Sequence, residues 1–450
     1  MGGRRAYTNV CGASSEQFIS AIADCADHVA MARGRRACRA AARIDRNLET
    51  RGSMMADPRT MSPRVAAFVL LGALLTACGY GATFLLSMHF RVAGGSDIDT
   101  GAALAEAMIG ALLGLPLVAW CAHRIGAARA TALAALVVGA GVVGFALIAR
   151  TGSLSVVPGL LVGIGWGGFC LAAPMMIAER TADIERERWF LRFGSFQMAG
   201  VGGGPAVAAL AIRNWHWTTG AVFCTVGALC ATAAVMLECF GRLSPASHAV
   251  APPVRDRWVR EMGAIVRTPA IYPIAIIALG SSVFSGLMTF QMSMAQGPGV
   301  KAGTFFGLYS ATVVVIRGLL GAVVIQIRVS ATTQILLGFM ILSVAVTFAV
   351  PHNALLHSAS AVLLGTGYGL VYPIVQAQAV NSADARHRHA VLTWFVASYF
   401  VGAFGFPALG SMVLVSMGKT MLLILIAGCG LAVLLLSIVE HRKRVLPVAC

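Results

Sequence analysis

The sequence predicts an all-α integral membrane protein of twelve transmembrane helices, arranged as two six-helix bundles related by a parallel pseudo-repeat. Three observations carry that prediction. Of the 450 residues, 58% are hydrophobic and only 12% charged, and the mean hydropathy is +0.79, far from the mix of a water-soluble domain. The apolar residues lie in stretches of about 20, the length that crosses a hydrocarbon core about 30 Å thick. The second half of the chain also repeats a glycine pattern of the first.

In order, the spans expected are Val65–Met88, Ala102–Cys121, Ala130–Ala149, Val156–Ile177, Leu191–Ile212 and Trp217–Met236. The second set is Ile271–Met292, Thr304–Ile327, Ala331–Val350, Ala359–Val380, Ala390–Val413 and Met421–Val439. Each carries Ala, Leu, Val, Gly and Phe on every side, without the apolar/polar alternation of an outer-membrane barrel strand. The many Gly and Ala residues let helix backbones approach closely in lipid.

The net charge of +16 would point to nucleic acid in a soluble protein, but its placement argues otherwise. With the N-terminus inside, the inner loops and C-terminal end carry Arg124, Arg129, Arg180, Arg186, Arg188, Arg192, Arg242, Arg255, Arg257, Arg260, Arg267, Arg328, Arg386, Arg388, Arg442, Lys443 and Arg444. The outer loops hold only Arg91, Arg150, Arg213, Lys301 and Lys419. This bias places both termini in the cytoplasm of a multi-pass plasma membrane protein. The partners expected are the lipid bilayer and a small-molecule cargo, with no nucleic acid, and the chain is expected to work as a monomer. The cysteines are scattered without a C-x-x-C pair, which fits small apolar packing residues rather than metal ligands. No metal, cofactor or catalytic residue is expected.

Residues 1–60 are different material, rich in Arg and free of an apolar core of signal-peptide length. They read either as a basic cytoplasmic tail touching anionic headgroups, or as sequence ahead of a later start at Met55 or Met61. Residues 61–240 then form the first bundle, 241–269 a Pro-containing cytoplasmic linker, and 270–450 the second bundle with a short basic tail.

The repeat appears when one constant shift sets Gly163, Gly165 and Gly167 on Gly365, Gly367 and Gly369. The same shift carries Gly200, Gly203 and Pro205 onto Gly402, Gly405 and Pro407, and Arg186 onto Arg388. These glycines and prolines are expected to serve helix packing and kinks, because Gly removes bulk and Pro frees a carbonyl. Two similar bundles of the same orientation enclose a central path.

These residues resemble the major facilitator superfamily over about residues 62–440. The resemblance implies a secondary transporter working by alternating access. The loop motif between spans two and three is degenerate: Ala119 and His123 replace its Gly and Asp, leaving Arg124 and Arg129. Gly159 stands where proton-coupled drug antiporters of the family carry an Arg. Gly200, Gly203, Gly204 and Pro205 resemble the antiporter element of span five, which implies export. The runs Gly367 to Pro373 and Ser398 to Pro407 resemble the staphylopine-type metallophore exporters. Cargo of a drug-like, amino-acid-derived or metallophore kind is what these resemblances imply.

Ionisable groups at bilayer depth are costly and tend to face a cavity or a partner. Arg317 lies eleven residues, or roughly 16 Å, before Arg328 at the end of its span; it either snorkels or faces the path. Glu106 sits about one turn inside span two, at the rim or on the bundle face, where it is the candidate carboxylate for proton coupling. His89 reads as a solvated residue at the membrane edge. Further candidates for the substrate path are Tyr80, Gln197, Gln291, Tyr309, Tyr368, Tyr372 and Gln376. The last three share one face of span ten at one-turn spacing. Arg124, Arg129, Arg186, Arg188, Arg386 and Arg388 are candidate gating residues of the inner loops. For Arg124 and Arg129 the alternative is plain loop geometry; Arg186 and Arg188 of the loop after span four, with Arg386, Arg388 or Asp384 of the matching loop, either join the halves through salt bridges or lie in solvated loops.

Two other functions weigh against transport. A membrane-embedded transferase would show clustered acids or histidines near one face, and around His387 and His389 no spaced acid stands out in the sequence as catalytic machinery. A transport-like sensor would bind cargo without moving it. Nucleotide hydrolysis is disfavoured as the energy source, because no phosphate-binding Gly-x-x-x-x-Gly-Lys-Ser/Thr loop occurs in the sequence.

Overall fold

A computed structural model describes residues 62–148, 155–181, 183–245, 262–295, 300–324, 329–348, 353–383 and 387–445. The basic N-terminal segment, most of the linker, Asp384, Arg386 and Arg328 lie outside these residues. Among the described residues, twelve helices are long and apolar enough to span a membrane. They are α1 (Pro63–Val92), α2 (Asp97–Ile125), α3 (Ala127–Ala146), α4 (Val156–Ala178), α5 (Asp183–Asn214) and α6 (Thr219–Leu243), followed by α7 (Ile271–Thr289), α8 (Ala302–Val324), α9 (Val329–Phe348), α10 (Ala354–Asn381), α11 (Ala390–Met417) and α12 (Lys419–Val445). The end of the molecule where α1 stops is called the upper end below.

Local chemistry sets the helix ends. Ser96 caps α2 and forms a reciprocal capping box with Asp99, so two otherwise unpaired N–H groups are satisfied and acid sits at the positive end of the dipole. The chain turns from α2 into α3 at Gly126, whose φ of 87° suits glycine because a Cβ is strained there. Thr218 and Asn353 cap α6 and α10 through side-chain oxygens. Several helices overrun the expected spans: α5 begins at Asp183 rather than Leu191, which makes most of the charged loop after span four helical. Span seven ends early, at Thr289, and a four-residue turn, Gln291–Met294, follows it.

The shared glycines mark backbone contacts that recur in both halves. In α4, Gly163 and Gly167 lie against the Ala107 and Ala111 carbonyls of α2, and Gly165 against Ala134 and Val138 of α3. In α10, Gly365 and Gly369 lie against Tyr309 and Val313 of α8, and Gly367 against Leu336 and Met340 of α9. These partners, Ala107 with Tyr309, Ala111 with Val313, Ala134 with Leu336 and Val138 with Met340, obey the shift found in the sequence. The prolines behave the same way. Pro205 and Pro407 have no N–H to give to the carbonyls of Val201 and Ala403. Gly81 of α1 packs on the first, and Ser285 of α7 donates its hydroxyl to the second at 2.5 Å. A π-helical turn, Val401–Gly405, accommodates Pro407 in α11.

The halves meet through α2 on α11 and α5 on α8. Gly101 lies against Ser411 and Pro407, Gly405 against the Met108 thioether, and Ser310 donates to the Ala199 carbonyl at 3.1 Å.

Candidate functional site

Where the halves meet, the helices bring together an aromatic centre. Tyr80 of α1 stacks on Trp166 of α4, with ring centroids 4.7 Å apart and planes at 11°. Phe284 of α7 stacks on Tyr368 of α10 at 4.3 Å and 4°. Trp166 and Tyr368 occupy the same place in the repeated glycine runs, so each half supplies one stacked pair from matching helices. Edge contacts join the pairs across the halves: Tyr80 meets Phe404 at 5.4 Å, and Phe84 meets Phe284 at 6.1 Å. Offset stacking and edge contacts are the favoured aromatic geometries.

Arg317 breaks this symmetry, because its counterpart in the first half is Leu115. Its side chain is 9% exposed and turns inward rather than snorkelling. Pro373 cannot donate to the Gly369 carbonyl one turn earlier, and the Arg317 Nε–H fills that role at 2.7 Å. On the facing α5, a Cβ added to Gly194 would come 2.8 Å from Nη1, so glycine there makes room for the guanidinium. Among the described residues no ion pair joins Arg317. Its electrostatic neighbours are Tyr309, Tyr368 and Tyr372. The hydroxyls of Tyr309 and Tyr368 and the indole N–H of Trp166 are buried without a hydrogen-bond partner, while the Tyr80 hydroxyl faces that of Tyr399.

The other expected path residues divide. Tyr372 meets Phe395 and Tyr399 edge-on at 5.5 and 5.4 Å. Gln376, one turn further along α10, is half-buried. Gln197 points its amide at the Cys170 sulfur, 3.8 Å away. Gln291 lies apart from the centre: it pairs with Nε2 of His357 at 3.1 Å, fastening the turn after α7 to the start of α10. Glu106 lies between α2 and α4 rather than in the aromatic centre. Its carboxylate rests against Gly159, where an added Cβ would come 2.8 Å from Oε2, and it hydrogen-bonds the Ser155 side chain. His89 is not a solvated edge residue. Because α1 continues to Val92, its ring is buried against Phe223 and Nδ1 lies 2.8 Å from the Thr219 hydroxyl.

Of the arginines considered for gating, Arg124 stacks on Trp120, 4.4 Å from the ring centroid, and Arg129 pairs with Glu238 at 3.6 Å. Both contacts stay within the first half. Arg188 and Arg388 are exposed, while Arg186 falls in α5 with its side chain outside the described residues. The charged segment after α4 is tied to its own half by Arg180, which donates to Glu179 and to the Ser244 carbonyl.

At the upper end, a polar cluster forms that no sequence pattern singled out. Asp97, 3% exposed, accepts hydrogen bonds from Ser87 of α1, from Ser293 beyond α7 at 2.9 and 3.0 Å, and from Arg91 at 2.6 Å. The Ser-x-x-Asp cap signal marks the start of α2, but Ser293 is separated from it by half the chain.

A search of curated protein sequences found no match to the chain. Solved structures of similar fold include a POT-family peptide transporter described as auto-inhibited, at a TM-score of 0.66 and 14% identity over 85% of this chain and 97% of that one. The POT-family transporter PepTSo gives 0.66 and 13% over 85% and 98%. A variant of the nucleoside transporter NupG gives 0.64 and 12% over 84% and 99%. The family model of the Major Facilitator Superfamily matches residues 69–407, and the chain therefore belongs to that superfamily of membrane transporters.

Proposed function

We propose that the chain is a secondary active exporter that moves one small molecule at a time by alternating access through the aromatic centre. The observation that carries this reading is Arg317, buried on α8 between Gly194 of α5 and Gly369 of α10, with Tyr309, Tyr368 and Tyr372 of its own half as electrostatic neighbours. A charge at that depth is costly unless it serves a path or a partner. The contacts between the halves at the upper end, through Asp97 and Ser293 and through Gly101 and Ser411, fit a state sealed at that end.

The positive charge of the loops at the other end favours placing it, with both termini, in the cytoplasm of a plasma membrane. The sealed end then faces outward and the site loads from the cytoplasm, which suits export. One chain supplies every group named at the centre, so a monomer suffices. The driving force is an ion gradient, with protons as the coupling ion and Glu106 as the carboxylate that takes and releases them. The drug-like, amino-acid-derived and metallophore-type compounds implied by the sequence resemblance share the small amphiphilic character that such a centre accommodates.

The test is flux in reconstituted vesicles, screening candidate cargoes with and without an imposed proton gradient. Arg317→Ala is expected to abolish flux of a transported cargo at unchanged protein abundance. Normal flux in that variant would remove Arg317, and with it this path, from the transport cycle.

A further inference from the structure

We propose that the centre is built for a monoanionic cargo, a small carboxylate with an aromatic or planar apolar body, and that Arg317 is the group that recognises its charge. The proposal deepens the reading of the chain as a transporter and rests on it.

The argument starts from how the guanidinium is held. Arg has five N–H donors in a rigid planar fork. Pro373 leaves the Gly369 carbonyl without its helical donor, and the Nε–H of Arg317 takes that place at 2.7 Å. This one bond fixes the plane of the fork and leaves its Nη edge to meet something else. Gly194 keeps the facing wall of α5 clear of that edge. No carboxylate pairs with the fork among the described residues, so the site holds one fixed positive charge without an internal counter-ion.

A carboxylate matches two parallel Nη donors in geometry and cancels that single charge. The hydroxyls of Tyr309 and Tyr368, both buried, unpartnered and electrostatic neighbours of the arginine, can each donate a further hydrogen bond to the same group. A doubly charged phosphate would keep one charge with no cation beside it, and an amine would meet like charge at close range. The stacked pairs Tyr80 with Trp166 and Phe284 with Tyr368 make the surroundings of the arginine aromatic, and a cargo that parts them would stack on them best with a planar apolar body.

The full-length protein in lipid nanodiscs is titrated calorimetrically with phenylacetate and indole-3-acetate, with their amides, with phenethylamine and tryptamine, and with phenyl phosphate. The carboxylates are expected to bind at least about tenfold more tightly than the amides, the amines and the phosphate, the scale set by a charge-assisted hydrogen bond. Arg317→Gln should bring each carboxylate down to the level of its amide while the amide changes less than about threefold. Gly194→Ala keeps the charge but pushes a methyl against Nη1, and it should weaken the carboxylates alone. An amine or phosphate that binds as tightly as the carboxylate, a carboxylate unaffected by Arg317→Gln, or no binding by any probe would overturn the proposal.

Flux of the same probes in vesicles separates the two claims. Binding that depends on Arg317 without movement of the carboxylate across the bilayer refutes the transporter reading and keeps the anion site. Flux of amines or amides without preference for the carboxylate refutes the anion site and keeps the transporter.

Discussion

Asp97 at the start of α2 accepts hydrogen bonds from the Ser293 hydroxyl at 2.9 and 3.0 Å, joining the first half of the chain to the second at the upper end. Ser293 lies in the short turn after α7, and Ser87 and Arg91 hold the same carboxylate from α1. Hydrogen bonds to a buried charged group contribute about 1.5–3 kcal/mol. Asp97→Asn removes the charge while preserving the shape, and should shift the balance toward an open upper end by roughly tenfold in population. Spin labels at Val92 and Lys301, both exposed at that end, would report it in a cysteine-depleted background. A distance distribution identical to that of the parent would show that the Asp97 cluster does not hold the end shut.

The recurring glycines make a prediction about stability rather than transport. A Cβ on Gly163 would drive into the Ala107 carbonyl and the backbone of α2. Backbone has nowhere to retreat, so Gly163→Ala should cost about 1–3 kcal/mol as overpacking. Gly428 on α12 has nothing within 4 Å of such a Cβ. There alanine should be neutral or stabilising by up to about 1 kcal/mol, because it is the better helix former. Thermal unfolding of the purified variants in detergent distinguishes the two; equal melting temperatures would contradict the close contact of α2 with α4.

Much of the architecture was legible because lipid imposes it. Span length is set by the thickness of the bilayer and small residues by close helix contact, and the repeat shows through because Gly163 and Gly365 face the same steric demand. Side-chain partners were less legible. The sequence placed Arg317 at bilayer depth but not its bond to the Gly369 carbonyl, which exists only because Pro373 on another helix frees that oxygen. His89 was misplaced for a local reason: a 3₁₀ turn at Thr83–Leu85 leads into a further helical segment, Leu86–Val92, that keeps the ring buried beside Thr219. Nothing in the sequence pairs Asp97 with Ser293, because their meeting depends on how α1, α2 and α7 converge.

Glu106 is the group on which proton coupling is staked. Its Oε2 is buried against Gly159, so only glycine on α4 leaves it room. Glu106→Gln keeps the shape and cannot ionise. With an imposed pH gradient, this variant should lose the gradient-driven component of flux while retaining exchange of labelled for unlabelled cargo at equal pH. Gradient-driven flux equal to that of the parent protein would remove Glu106 from the coupling scheme.

The sharpest test of the repeat's chemistry is the pair Ser285 and Pro407. Ser285 donates its hydroxyl to the Ala403 carbonyl at 2.5 Å, an oxygen left without a helical donor because Pro407 has no N–H. Ser285→Ala alone strands that carbonyl in a buried contact, at a cost of about 1–2 kcal/mol. Pro407→Ala restores an N–H four residues after Ala403, so the carbonyl no longer depends on Ser285. In the Pro407→Ala background, Ser285→Ala should therefore cost less, with a coupling of about 0.5–1.5 kcal/mol between the sites. Reversible unfolding of the parent, both single variants and the double variant in mixed micelles closes the cycle. Strict additivity would mean that the hydroxyl does not stand in for the missing amide, and that the contact of α7 with α11 rests on packing alone.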